Sequence, residues 1–110
     1  ELLTLLHTLK SQGKRIAVYG ASAKGATLMN YCGIGRELVE YIVDRSTLKQ
    51  GLYAPGTRLT IEPVEKLLTD KPEYVLLLTW NFADEILAQQ KKYRQGGGKF
   101  IVPVPQVRVL

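Results

Sequence analysis

Cysteine and histidine are nearly missing from this chain of 110 residues, which holds one of each, Cys32 and His7. A single cysteine excludes an internal disulfide, and with His7 as its sole companion no metal-ligand cluster can be assembled. No metal site is therefore expected. Cys32 is read as a small buried residue of a helix. His7, between Leu6 and Thr8 with no acid or nucleophile close by in sequence, is read as a partly solvated helix residue rather than a catalyst. Long apolar runs are lacking too, because Lys10, Lys14 and Arg15 interrupt the apolar N-terminal segment. No stretch is long enough to span a bilayer and the beginning does not look like a signal peptide, so no membrane is expected as a partner and the cytoplasm is the expected compartment.

Acidic residues are in short supply, ten Asp and Glu against fifteen Lys and Arg, for a net charge of +5. Nucleic acid is nonetheless not the expected partner. The basic residues are spread over Lys10–Arg15, Arg45–Lys49 and Lys91–Arg94, at helix ends and loops of separate segments, where several complement a helix dipole. A preference for small anionic ligands fits better. The length predicts one compact domain, since two independent cores would be hard to build from so short a chain.

What the sequence does have is a stretch that organises the rest, Lys14–Gly25. Ile16, Ala17 and Val18 form the short apolar run of a parallel strand covered on both faces. Gly20 supplies a tight turn, and a helix begins near Ala23. A helix N-terminus aimed out of such a turn exposes unpaired N–H groups and the positive end of the dipole, a physical reason to expect an anion. The dinucleotide pattern G-x-G-x-x-G is only partly present. Gly20 and Gly25 take its first and third places and Ser22 the second, so a phosphate is held further out or met by the Ser22 hydroxyl. Lys24 adds a cation. Glycines that serve only the turn and helix packing remain the alternative.

Along the chain, Leu2, Leu3, Leu5, Leu6 and Leu9 predict a helix over Glu1–Gln12 with Gly13 as its C-cap. That helix starts without a capping residue or linker, which fits a piece of something longer. Lys24–Cys32 follows as a helix, ended by Gly33 and Gly35. Tyr41-Ile42-Val43 forms a second strand that finishes in Asp44, nineteen positions after Gly25. In dinucleotide folds an acidic residue about twenty positions on accepts the ribose hydroxyls. Asp44 either does that or caps the loop behind it. That loop, Arg45–Thr57, carries two turn signals, Gln50-Gly51 and Pro55-Gly56, and places Arg45 and Lys49 at the carboxyl edge of the sheet, as a wall of a site or as a solvated excursion. Arg58–Ile61 predicts a short edge strand, and Glu62–Thr69 a short helix with Pro63 in its first turn.

Tyr74–Thr79 is the most hydrophobic run and predicts a central strand, delivering Trp80, Asn81 and Phe82 to the edge that holds Gly20 and Asp44. The aromatic and amide pair either meets a base or sugar or is buried under the next helix. Ala83–Gln95 predicts one amphipathic helix, closed by Gly96–Gly98. Lys99–Val104 predicts the last strand, with Pro103 and Pro105 putting it at a sheet edge. The fold expected is α/β, a Rossmann-like three-layer sandwich with a mostly parallel sheet of four or five strands.

Four blocks, Gly20–Ile34, Val43–Thr57, Tyr74–Ile86 and Gly97–Pro105, closely resemble in order the C-terminal domain of S-adenosylmethionine-dependent C-methyltransferases. Members of that family include enzymes that methylate a carbon of nucleotide-linked deoxysugars. The resemblance implies a larger protein with a cysteine-rich zinc-binding part, a central domain that binds S-adenosylmethionine, and this domain, residues 1–110, which helps to hold the nucleotide sugar. It implies no cofactor on this domain, a methyl-donor domain on the same polypeptide, and acid–base residues outside this chain. Together with the loop positions it makes Gly20, Ser22, Lys24, Gly25, Asp44, Lys49, Trp80 and Asn81 the expected substrate-binding residues. Ser22 and Lys24 are then the diphosphate contacts and Asp44 the ribose contact. A stand-alone nucleotide- or CoA-binding module, or a purely structural packing domain, are the competing expectations.

Overall fold

In the computed structural model, residues 1–54 and 56–110 are described. Pro55, of the expected Pro55-Gly56 turn, lies outside the described residues. Five parallel strands and one antiparallel strand make a single sheet in the order β3-β2-β1-β4-β5-β6, formed by β1 (Ile16–Tyr19), β2 (Ile42–Val43), β3 (Ile61–Glu62), β4 (Tyr74–Leu77), β5 (Lys99–Val102) and β6 (Arg108–Val109). The helices are α1 (Leu2–Ser11), α2 (Ala23–Cys32), α3 (Lys66–Asp70), α4 (Ala83–Gln89) and α5 (Lys91–Gln95), with a 3-10 turn at Trp80–Phe82.

Period-two alternation along each strand divides the core in two, although the runs themselves read as continuously apolar. Ile16, Val18, Leu76 and Ile101 join Leu6 and Leu9 of α1 and Met29 of α2 in one cluster. Ala17, Tyr19, Val75, Leu77 and Phe100 join Leu67 of α3, Ile86 and Leu87 of α4 and Tyr93 of α5 in the other. The result is the three-layer α/β sandwich expected, with the neighbouring strands β1 and β4 sending their helices to opposite faces.

Three expectations need correction. The sheet has six strands rather than four or five, and β5 is not its edge. Past Pro103 and Pro105 the chain returns, and Arg108 and Val109 pair antiparallel with Val102 and Ile101. Both prolines lie beyond the last ladder residue of β5, so neither removes a ladder donor. The helix expected from Glu62 begins at Lys66, because the Glu62 carbonyl accepts from the Asp44 N–H at 3.1 Å and keeps that residue extended in β3. The helix expected over Ala83–Gln95 is two helices, parted at Gln90 with φ −98° and ψ 30°.

At the amino edge of the sheet, remote from the strands' carboxyl ends, Arg15 is held by two carboxylates. Its Nη2 donates to Glu40 at 2.8 Å and to Asp70 at 2.7 Å, and the Tyr41 hydroxyl donates to the same Asp70 oxygen at 2.7 Å. The Arg15 hydrogen bond, joined by that of Tyr41, holds the Asp70 carboxyl below its ordinary pKa against the opposing effect of burial. Burial, with the neighbouring Asp70, raises the Tyr41 phenol.

Candidate functional site

The carboxyl ends of β1, β2 and β4 converge on the glycine turn. Gly20 adopts φ +105°, a conformation that only glycine takes without strain. A Cβ there would stand 2.7 Å from Thr79 Cγ2, so the turn lies directly against the end of β4. Gly25 serves a different purpose. A Cβ on it would meet Leu78 Cβ at 2.7 Å, which shows that α2 packs against the strand end more closely than a side chain permits.

Ser22 is the N-cap of α2, its Oγ accepting from the Gly25 N–H at 3.1 Å. Its hydroxyl proton remains available to donate. The backbone N–H groups of Ser22, Ala23 and Lys24 have no partner among the described residues. Three consecutive donors therefore stand at the positive end of a ten-residue helix, beside the exposed side chain of Lys24.

Asp44 ties two loops together. Its Oδ2 accepts from the Ala21 N–H at 2.8 Å and its Oδ1 from the Ser46 N–H at 2.7 Å, while Gln50 Nε2 donates to its backbone carbonyl at 2.9 Å. A carboxylate offers about four acceptor positions, so two stay open for hydroxyl donors. Capping the loop and receiving a ribose, alternatives in the sequence, are compatible in the structure. Lys49 Nζ donates to the Ala21 carbonyl at 2.9 Å, a second clasp between the same loops.

Of the eight expected residues, Gly20 and Asp44 line one hollow at this edge and Trp80 and Asn81 line a second, whereas Ser22, Lys24, Gly25 and Lys49 line neither. One, of about 300 Å³, is walled by Tyr19, Gly20, Asp44, Arg45, Thr79 and Gln89. The other, of about 550 Å³, is walled by Trp80, Asn81, Asp84, Val104, Pro105 and Arg108. Phe82 and Glu85 border both. Trp80 is half-buried, leaning on the core beneath α4, whereas Phe82 is 59% exposed. His7 is exposed on α1.

Several site residues escaped the sequence reading. Gln89 and Arg108 come from α4 and β6, and no local motif marks either one. Arg45, expected from sequence at the carboxyl edge as a site wall or part of a solvated excursion, lines the smaller hollow and donates through Nη1 to Gln89 Oε1 at 3.2 Å. The Tyr19 and Thr79 hydroxyls are buried without a partner among the described residues and belong to walls of that hollow. Burial raises the Tyr19 phenol above its ordinary pKa, opposed by Arg45, so it keeps its proton at neutral pH.

A mostly parallel sheet covered by helices on both faces, with a glycine turn at the point where its connections diverge, defines a Rossmann-like α/β domain. The fold is similar to that of UDP-D-quinovosamine 4-dehydrogenase from Vibrio fischeri, with a TM-score of 0.60 at 16% identity, covering 88% of this chain and 93% of that one. Residues 1–105 match the C-methyltransferase C-terminal domain, and the chain belongs to that family. It is 39% identical over 110 residues to the C-methyltransferase NovU of Streptomyces niveus, and all of it aligns with 26% of that protein. The chain therefore spans about a quarter of the length of its curated relative.

Proposed function

We propose that this domain holds a nucleoside diphosphate sugar for a methyltransferase whose methyl donor, S-adenosylmethionine, binds on another domain of the same polypeptide. The observation that carries this reading is the pairing of three open N–H donors and Lys24 with a carboxylate, Asp44, that keeps acceptor positions free. The ribose of any nucleoside satisfies Asp44. The cations around it select among nucleosides: a diphosphate is drawn to Lys24 and the α2 N-terminus, whereas a sulfonium is repelled by Lys24, Lys49 and Arg45.

Positioning is then the contribution of the domain. The acid–base chemistry of the transfer falls to residues elsewhere, and a fixed approach geometry lowers the barrier by several kcal/mol at most of the ~7–11 available to ideal orientation. Amide NMR on the isotopically labelled chain tests this reading. Addition of a nucleoside diphosphate shifts the resonances of Gly20–Gly25 and Asp44–Lys49, and S-adenosylmethionine leaves them in place. Shifts from the methyl donor alone, or from neither, contradict it.

A further inference from the structure

The two hollows differ in chemistry, and from that difference we infer the direction in which a nucleotide sugar lies across the sheet edge: nucleoside beside Asp44, hexose beside Trp80, with Phe82 as the ridge between them. This inference rests on the function proposed above and adds an orientation to it.

The smaller hollow suits a ribose and a flat heterocycle. Asp44 has open acceptor positions for hydroxyls, and the Arg45 guanidinium is steadied by Gln89 on one wall while exposed Phe82 stands on another. A planar cation and an aromatic ring both stack on a nucleobase. The volume of about 300 Å³ accommodates a nucleoside and leaves the hexose outside.

The larger hollow presents an indole, an amide, a carboxylate and a guanidinium, from Trp80, Asn81, Asp84 and Arg108. The apolar C–H face of a hexose packs on an aromatic ring, and its hydroxyl and carbonyl oxygens need donors and acceptors of this kind. The glycine turn adjoins the smaller hollow through Gly20, with the Ala21 N–H on Asp44 at 2.8 Å and the Gly20 backbone against Thr79, the residue before Trp80. The diphosphate then leaves the smaller hollow along this turn, toward the open N–H donors of the α2 N-terminus. The reacting carbon is presented on the β4–β6 side, and the methyl donor approaches from there.

Trp80 is the single tryptophan of the chain, so its emission reports the larger hollow alone. A nucleoside diphosphate binds, by calorimetry, without changing that emission, and the corresponding nucleoside diphosphate hexose changes it. Arg45→Ala weakens both ligands about tenfold, whereas Arg108→Ala weakens only the hexose-bearing one, by a similar factor. A change in Trp80 emission with the sugar-free diphosphate equal to that with the hexose overturns the orientation, as does equal weakening of both ligands by Arg108→Ala. Failure of both probes to bind overturns the underlying function together with it.

Discussion

Asp44 couples two loops with one carboxylate, and its replacement separates structural from binding roles. Asparagine keeps one acceptor oxygen but sets an amide N–H against a backbone N–H of Ala21 or Ser46. Asp44→Asn is expected to lose about 1–2 kcal/mol of stability in urea unfolding. It also weakens a nucleoside diphosphate about tenfold in calorimetry, since the second acceptor position facing the ribose disappears. Gly25 gives the opposite dissociation. Gly25→Ala pushes a methyl into Leu78 and costs about 1–3 kcal/mol of stability. Much of this was legible in sequence, because Gly20, Gly25 and Asp44 sit at spacings that backbone geometry dictates. The orphaned hydroxyls of Tyr19 and Thr79 were not, since an apolar run ending in Tyr and Thr looks the same whether or not those hydroxyls find partners.

At the scale of elements, the amino edge is fastened by Arg15, Glu40, Asp70 and Tyr41, joining β1, β2 and the end of α3. The folded pKa of Asp70 is depressed, so its stabilisation is complete above the ordinary carboxylate range and is lost as pH falls through the folded value. Glu73, whose Oε1 accepts from the Arg15 N–H at 2.7 Å, titrates in the same sense. Asp70→Asn is expected to lower the melting temperature at pH 7 and to flatten its decline between pH 5 and 3; an unchanged decline contradicts the assignment.

The connection from α5 to β5 depends on Gly98, which lies under the Tyr93 ring. A Cβ there would come within 2.2 Å of the ring, and the Tyr93 hydroxyl donates to the Pro72 carbonyl. Gly98→Ala expels that ring from the core beside Phe100 and is expected to destabilise by at least ~2 kcal/mol in chemical unfolding. The sequence marked Gly96–Gly98 as a helix stop and nothing more. The break at Gln90 carried no local signal, and the strand Arg108–Val109 carried only a short one, the alternation Val107-Arg108-Val109, so tertiary pairing decides both.

The chain folds around one sheet whose carboxyl edge is built from stretches far apart in sequence, and it covers about a quarter of its curated relative. The fold class followed from the order of strands and helices in the sequence. The division of the edge into two hollows did not, because it depends on how Phe82 and the returning β6 stand in space. Calorimetric titration of this chain with a nucleoside diphosphate hexose and, separately, with S-adenosylmethionine tests the central claim most directly. The account predicts saturable heat from the sugar nucleotide, abolished or strongly reduced by Lys24→Ala with Asp44→Asn, and none from the methyl donor. Heat from S-adenosylmethionine, or sugar-nucleotide binding indifferent to both substitutions, would contradict it.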